Sequence, residues 1–465
     1  MRDRLDCNPE ERITKTMSLD RSYQETVDYL FALQKHGIKL ALSNSVLLME
    51  IMGSPHRKFG SVHVAGTNGK GSTSAFLASM LMAAGYRVGL YTSPHLVSFT
   101  ERIRINNVPI PEARVVGLAR RVREGYDRLN AADRSGPVSP TFFEVTTAIA
   151  FTYFAEEGVD IAVIEVGMGG RLDSTNVITP LVSVITNIDL EHTEFLGNTL
   201  EQIAAEKAGI IKPGVPVITG AVQHEALAVI EREARANSSP VYRLPRDFMP
   251  ANITAGLNPR FDYRGIKTSQ GALTIGMVGR YQIDNACLAL AALECLRDSG
   301  VTVVEPALRR GLGEARWEGR MERVSRRPDI YLDGAHNPSS AEKLAAAVRE
   351  MMPAYGKLVL VIGILGDKDI RGILGPLVPL ADRVVVTRPQ YSRALDVPAL
   401  TAEVRKLHGS VIAAETVADA IALAKQGASA ADLILITGSL YVVGDARALV
   451  APQADMTVAL RGLKG

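Results

Sequence analysis

The chain has 465 residues, too many for one ordinary hydrophobic core, so two domains are expected. Hydrophobic residues make up 47% and charged residues 22%, a balance that excludes a disordered chain. Lys plus Arg total 52 against 50 for Asp plus Glu, which argues against nucleic acid as the main partner, although Arg102 with Arg104, or Arg316 with Arg320, could supply a local basic pocket.

The N-terminal MRDRLDCNPEERITK is charged and lacks the apolar stretch of a secretory signal. The longest apolar runs, such as 357–365, are too short to cross a bilayer, so no membrane partner and a cytoplasmic location are expected. Of the three cysteines, Cys7, Cys287 and Cys295, no pair has zinc-ligand or redox spacing, and the odd total fits a reducing compartment. Cys287 and Cys295 lie in an apolar helical run and read as buried filler.

In chain order, SVHVAG (61–66) predicts a buried strand, TNGKGS a glycine-rich turn, and residues 73–84 a helix that Gly85 ends. RVGLYTS opens the next strand. Residues 122–140 read as loops or loose helix ends. IAVIEVG (161–167) and LVSVITN (181–187) are apolar nearly throughout, as expected of central parallel strands with helices on both faces. Residues 240–278 lose this rhythm and turn strand-like, and a helix from 282 to about 298 closes the first half. A Gly- and Arg-rich stretch with the only Trp follows, and the linker is expected near residue 312, giving domains 1–312 and 313–465. A second alternating set then runs through strand DIYLDG, helix SSAEKLAAAVREMM, strands KLVLVIGIL and DRVVVTR, a loop over 393–399, helices near 398–407 and 417–426, and strand DLILITG. The fold class is α/β: an N-terminal P-loop ATPase domain with a central, mostly parallel sheet, and a smaller C-terminal Rossmann-like α/β domain.

Gly66-Thr67-Asn68-Gly69-Lys70-Gly71-Ser72, between a strand and a helix, carries the clearest chemistry. Its glycines let backbone N–H groups converge on phosphate oxygens, the helix start adds its positive dipole end, and Lys70 meets the β- and γ-phosphates. Gly71 intervenes between Lys70 and Ser72, so the run departs from the usual phosphate-loop spacing. Three more segments end strands and should converge on this loop: Tyr91 to Leu96, Glu165 to Asp173, and Leu190 to Glu194. A hydroxyl, a carboxylate and an imidazole beside a triphosphate make a Mg²⁺ site. Taken singly, Ser93 before Pro94 reads as a turn residue and His192 as an ordinary polar partner. Glu165 is harder to set aside, because an unpaired buried carboxylate is expensive.

GTNGKGS, YTSPHL, ERIRIN, TFFE, EVGMGGRLDSTN, LEHTEFLG, EKAGIIK, GRYQIDNACLAL, LDGAHNP, GDKD and TGSLYVVG, in this order from about residue 23 to 450, resemble the folylpolyglutamate synthase/dihydrofolate synthase family of the Mur ligase superfamily. The resemblance implies that Thr67, Asn68, Gly69 and Lys70, with Gly71 and Ser72, cradle ATP phosphates. It implies Mg²⁺ ligation by Ser93, Glu165 and His192, and a second Mg²⁺ at Lys207 carried as a carbamate. Asn285 is similar to an adenine-side contact, and Arg320 and Asp333 to groups of the second domain that close over the nucleotide. His336 and Ser439 are implied near the incoming glutamate. Ile38, Lys39 and Leu40, Thr141, Phe142 and Phe143, and Asp173 match positions that hold the pterin substrate, where the aromatic pair suits a flat bicyclic ring. Many relatives have Asp-His in place of Glu191-His192, and some bifunctional members carry Asp where Lys39 stands.

The implied catalytic groups are Lys70, Lys207, His192 and His336, and the implied reaction is ATP-dependent joining of L-glutamate to dihydropteroate or a reduced folate through an acyl phosphate. A monomer is expected from the family. The alternatives are glutamate addition to folates only, or a ligase of the same superfamily acting on a cell-wall precursor or another carboxylate, against which TFFE and GGRLDSTN speak. A nucleotide-dependent switch could use the same loop, but it gives Asp333 and His336 no role.

Overall fold

The computed structural model describes residues 22–36, 41–132 and 139–451. Cys7 and the substrate-site candidates Ile38, Lys39 and Leu40 lie outside the described residues.

The first sheet is built from β1 (Gly60–Ala65), β2 (Val88–Tyr91), β3 (Ile103–Ile105), β4 (Val108–Pro109), β5 (Ile161–Glu165), β6 (Val182–Ile185), β7 (Val217–Thr219) and β8 (Val241–Arg243). Their order is β4-β3-β2-β5-β1-β6-β7-β8; β2, β5, β1, β6, β7 and β8 are parallel, and β3 and β4 form an antiparallel edge. The continuous apolar character of the central strands has the expected cause. Ile161 and Val163 face one helical layer while Ala162 and Ile164 face the other, so both sides of the pleat are buried. The chain leaves β1 for β2 on one side and later enters β6 on the other, which opens a crevice at the carboxyl end of β1.

The strand-like stretch after residue 240 holds β8 and then a separate antiparallel sheet of β9 (Met249–Thr254), β10 (Arg260–Arg264) and β11 (Ser269–Thr274). The helix Arg280–Leu296 buries Cys287 and Cys295 as free thiols. Residues 122–132, expected as loose, belong to the helix Glu112–Ala132, whose Val115, Leu118, Ala119 and Val122 form one apolar stripe at helical spacing. Residues 397–399, expected in a loop, open the helix Val397–Arg405 with Asp396 as its cap.

Residue 312, the expected linker, is buried inside the helix Glu305–Glu314, which packs on the phosphate-loop helix Lys70–Ala83. The crossing to the second sheet runs over 315–321. That sheet comprises β12 (Glu322–Ser325), β13 (Asp329–Leu332), β14 (Leu358–Ile362), β15 (Arg383–Val386), β16 (Val411–Ala413) and β17 (Leu433–Thr437), in the order β12-β13-β17-β14-β15-β16. All its pairs are parallel except β12 with β13. Leu358, Leu360 and Ile362 enter one core and Val359 and Val361 the other. Among the described residues, no helix is long and apolar enough to cross a membrane.

Candidate active site

A cleft of about 570 Å³ lies between the carboxyl ends of the two sheets. Residues Thr67 to Ser72 form one wall, where the helix Lys70–Ala83 begins. Gly69 adopts φ +86°, and a Cβ there would stand 2.4 Å from Asn285 Oδ1, so no other residue fits between the loop and the helix beneath it. Gly71 explains the departure from the usual spacing: its Cβ would lie 2.6 Å from Trp317 Nε1, and the ring of the crossing segment occupies the space a side chain would take. The loop is also tied to the end of β6. Thr67 Oγ1 donates to the Asp189 carbonyl (3.2 Å) and accepts from the Asp189 N–H (3.0 Å), while the Asn68 N–H donates to Asn187 Oδ1 (2.8 Å).

Lys70 and Lys207 converge on one oxygen. Lys70 Nζ donates to the carbonyls of Gly66 and Thr67 at 3.0 Å each, and Lys207 Nζ donates to the same Gly66 carbonyl at 2.8 Å. Lys207 is 2% exposed, on the helix Leu200–Ala208, and lies beneath the loop instead of on the cleft surface. Burial, reinforced by the Lys70 charge, pushes its amine down to about 7.

Glu165 closes β5, is buried, and accepts from the Ser93 N–H (3.2 Å). Burial raises its carboxyl, and Lys70 opposes the rise. His192 stands at φ 53°, at the start of the short helix Thr193–Leu196. Its ring is open to the cleft, yet the surrounding protein disfavours the imidazolium and lowers its pKa, with Glu191 opposing. Ser93, Glu165 and His192 all line the cleft. Among the described residues no group of three His, Cys, Asp or Glu side chains could hold a metal by itself. The candidate set supplies two of those types and a hydroxyl, which suits Mg²⁺ because that ion completes its shell with water and phosphate oxygens. A buried carboxylate with a raised pKa and a single backbone donor is a group that a cation would stabilise.

The second sheet faces this wall with groups from its own strand ends. Asp333, just past β13, is buried and accepts from the N–H groups of Met321 (2.9 Å) and Ala335 (2.9 Å), so it anchors the crossing segment as well as lining the cleft. Arg320 lines the cleft with one nitrogen donating to the Gly319 carbonyl (3.0 Å). Ser439 lines it too and caps the helix Leu440–Val450 by accepting the Val442 N–H (3.1 Å).

The two walls touch through side chains. Asn337 Nδ2 donates to Asn68 Oδ1 and to Glu191 Oε1, both at 3.1 Å, and Ser339 Oγ donates to Asp189 Oδ2 at 3.0 Å. His336 Nδ1 donates to the Gly334 carbonyl (2.7 Å) and its Nε2 stands 3.5 Å from Glu191 Oε1. Burial would push the Glu191 carboxyl up, but the His336 hydrogen bond and the Lys70 charge outweigh it and hold it below the usual range.

The substrate-side candidates separate. Phe142 is core: it stacks on Phe31 at 5.3 Å and 7° and meets Phe99 edge-on. Phe143 is half-buried, packs against Gly167 of the cleft, and tilts on Tyr91 at 6.0 Å. Thr141 caps the helix Phe142–Glu156 in a capping box with Glu144. Asp173 is buried and does not line the cleft; its carboxylate accepts from the N–H groups of Met168 and Thr175, at 3.0 Å each, and fixes the loop after β5.

Several lining residues escaped the sequence reading. Asp189 shares the strand-end address of His192 and could have been found by it. Leu244 and Val222 near Asn285, and Lys343 on the second domain, carry no local signal, whereas Leu288 and Lys368 lie within the GRYQIDNACLAL and GDKD motifs without having been singled out.

A phosphate loop facing the strand ends of a second parallel sheet defines an ATP-dependent ligase of the Mur type. The family model for the Mur ligase middle domain matches residues 64–293, and that for the Mur ligase glutamate ligase domain matches residues 319–440. More narrowly, the chain belongs to the dihydrofolate synthase/folylpolyglutamate synthase family: it is 37% identical to the Bacillus subtilis dihydrofolate synthase/folylpolyglutamate synthase over 92% of this chain and 98% of that one. Solved relatives include the Mycobacterium tuberculosis folylpolyglutamate synthase complexed with ADP and AMPPCP (34% identity, TM-score 0.85, 93% of this chain and 99% of that one). Another is E. coli FolC in complex with DHPP and ADP (32% identity, TM-score 0.82, 91% and 97%).

Proposed function

We propose that this protein uses ATP to join L-glutamate to dihydropteroate, to the γ-carboxylate of reduced folates, or to both. The observation that carries the reading is the single cleft into which the phosphate loop, Glu165, His192, Asp333, His336 and Ser439 all open. ATP would place its phosphates on residues 67–72, with adenine against the apolar wall of Leu244 and Leu288 beside Asn285. Mg²⁺ would be held by Ser93, Glu165 and His192, and when bound it neutralises charge on the phosphate oxygens.

An oxygen of the acceptor carboxylate attacks the γ-phosphorus, the bond to ADP breaks, and an acyl phosphate forms. Lys70 and the helix start stabilise the charge that develops. The glutamate amine then attacks the acyl carbon, phosphate leaves, and the nitrogen loses its proton. His336 and Ser439 stand on the wall from which glutamate would arrive. Closure of the two walls, through Asn337 and Ser339, would exclude water that otherwise hydrolyses the acyl phosphate. A monomer is the proposed working unit.

Two amines sharing the Gly66 carbonyl support a carbamate on Lys207. An amine pushed down to about 7 is partly unprotonated and able to capture CO₂, and the product replaces repulsion of Lys70 by attraction. The carbamate would then serve a second Mg²⁺. The test of the overall reading is phosphate release with dihydropteroate and with tetrahydrofolate as separate acceptors. Release that requires both glutamate and an acceptor is expected; release in the absence of glutamate and acceptor, or no release with any such acceptor, would overturn it.

A further inference from the structure

Two buried arginines stand two residues apart at β3, and only one of them is neutralised. Arg104 is 5% exposed and ion-paired with Glu318 of the crossing segment at 2.9 Å. It also donates to Asn107 Oδ1 (3.2 Å) and to the Glu101 carbonyl (3.0 Å), and its guanidinium lies over Trp317. Its role is to hold the first sheet to the crossing. Arg102 is 7% exposed, yet among the described residues no carboxylate stands within ion-pair distance of it. Its Nε donates to His95 Nδ1 at 2.8 Å, and its guanidinium lies 5.2 Å from the centre of the Phe142 ring.

The neighbouring Glu101 acts on Arg102 only through space and makes no ion pair with it, because its carboxylate is turned to the N–H groups of Leu96 (2.8 Å), Val97 (3.2 Å) and Ser98 (2.9 Å). The charges and phenols near enough to act on Arg102 are Tyr91, Tyr441, Glu165 and Glu101, and burial outweighs them. Arg102 therefore sits on the Phe142 edge of the core, with Glu165 of the phosphate site and Tyr441 of the second domain near enough to act on it. A guanidinium only donates, so His95 Nδ1 must be the acceptor and the imidazole proton is carried on Nε2. That Nε2–H has no partner among the described residues. His95 lines a second, smaller cavity of about 40 Å³ together with Ser93, Glu165, Arg320 and the already engaged Glu101 and Glu318, while Arg102 stands behind His95 and is not itself part of that lining.

We propose that Arg102 and His95 form the docking point for the reacting carboxylate of the acceptor. A buried cation without a counter-ion is strongly unfavourable, and a guanidinium edge matches a carboxylate in two parallel hydrogen bonds. The His95 bond and the Phe142 face hold that edge in place, and the His95 N–H adds a further donor. A carboxylate bound there lies beside Glu165 and Ser93, where the γ-phosphate of ATP would be presented. The assignment rests on the ligase reading above and adds the group that selects an acid as acceptor.

The test compares binding of dihydropteroate with that of its primary carboxamide, by calorimetry on the full chain with a non-hydrolysable ATP analogue and Mg²⁺. Wild type is expected to prefer the acid by about 30-fold or more, in the range seen when one partner of a buried charge pair is lost. Arg102→Met should lose that preference while keeping its affinity for the amide, and Arg104→Met should retain the preference at reduced stability. Equal binding of acid and amide by wild type would overturn the proposal without any variant. So would an Arg102→Met protein that still prefers the acid. If Arg102→Met does not fold, Arg102→Lys replaces it: a raised KM for the acceptor with an unchanged KM for ATP supports docking, and unchanged values for both refute it. Wild-type turnover with glutamate separates this result from failure of the ligase reading, since the enzyme could be active with no dependence on Arg102.

Discussion

The two parallel sheets present their sites at the same address, the carboxyl ends of their strands, but load them differently. The first buries charge that the fold only partly compensates: Glu165 has one backbone donor, Lys207 shares a carbonyl with Lys70, and Arg102 has an imidazole in place of a counter-ion. The second buries Asp333, whose carboxyl is likewise raised by burial but which accepts two backbone N–H groups against the one of Glu165, and sends half-buried groups, His336, Asn337 and Ser339, across the cleft from the start of the helix Pro338–Met351. The difference separates two tasks. Activating a carboxylate needs fixed charges in a dry pocket, where electrostatic interactions are strong. Delivering an amine needs groups that engage when the walls meet, and polar side-chain contacts are suited to that.

If this division is right, substitutions in the first wall should dominate. Lys70→Ala should lower phosphate release by about 10³-fold or more, because the charge over the transferred phosphoryl is lost; a loss below tenfold would move the site elsewhere. Glu165→Gln should cost about 10²–10³-fold and raise the Mg²⁺ concentration needed for half-maximal rate, as removal of a ligand carboxylate requires. A metal titration checks this, and an unshifted midpoint would remove Glu165 from the ligand set.

Lys207→Met sharpens the comparison by separating stability from activity. The folded amine gives up its proton near pH 7, whereas the unfolded lysine holds its own to about 10.5. Between these values the unfolded chain binds more protons, so wild-type stability gains from this group as pH rises and carries the full penalty below 7. In bicarbonate-free buffer the variant should therefore be inactive, more stable than wild type at pH 7, and without that part of the rise. Denaturant melts at pH 7 and 9 measure it; a less stable variant at pH 7 would mean that the amine is already compensated.

Smaller effects belong to the joints. Gly71→Ala should destabilise by about 1–3 kcal/mol through collision with Trp317. Because that is the only Trp, its fluorescence should change with the substitution and, in wild type, on addition of ATP. An unaltered emission spectrum would place the ring away from the loop. Ser339→Ala removes one hydrogen bond between the walls, worth about 1 kcal/mol. It should appear as a few-fold rise in the KM for glutamate with little change in melting temperature, and a change in stability alone would make the contact structural.

Much of this was legible in one dimension. Alternation with period two, turned fully apolar, marks central parallel strands wherever helices cover both faces, so β1, β5, β6, β14 and β17 were readable, and the glycine-rich turn announced a phosphate loop. Short edge strands such as β4 and β16 were not, because two or three residues carry no period. Nor could the chain state why Gly71 stands where it does: the reason is Trp317, a contact between residues 246 positions apart in sequence (317 − 71). The aromatic pair at 142 and 143 likewise divided into core and cleft only through the packing of Phe31 and Gly167. Sequence alone determined the architecture, the phosphate loop and the family, since those depend on local periodicity and on motifs written contiguously. Tertiary structure alone decided which charges are compensated. Arg102 and Arg104 look alike in ERIRIN, and they differ because Glu318 forms an ion pair with one of them, while among the described residues the other meets only the His95 imidazole and the Phe142 ring.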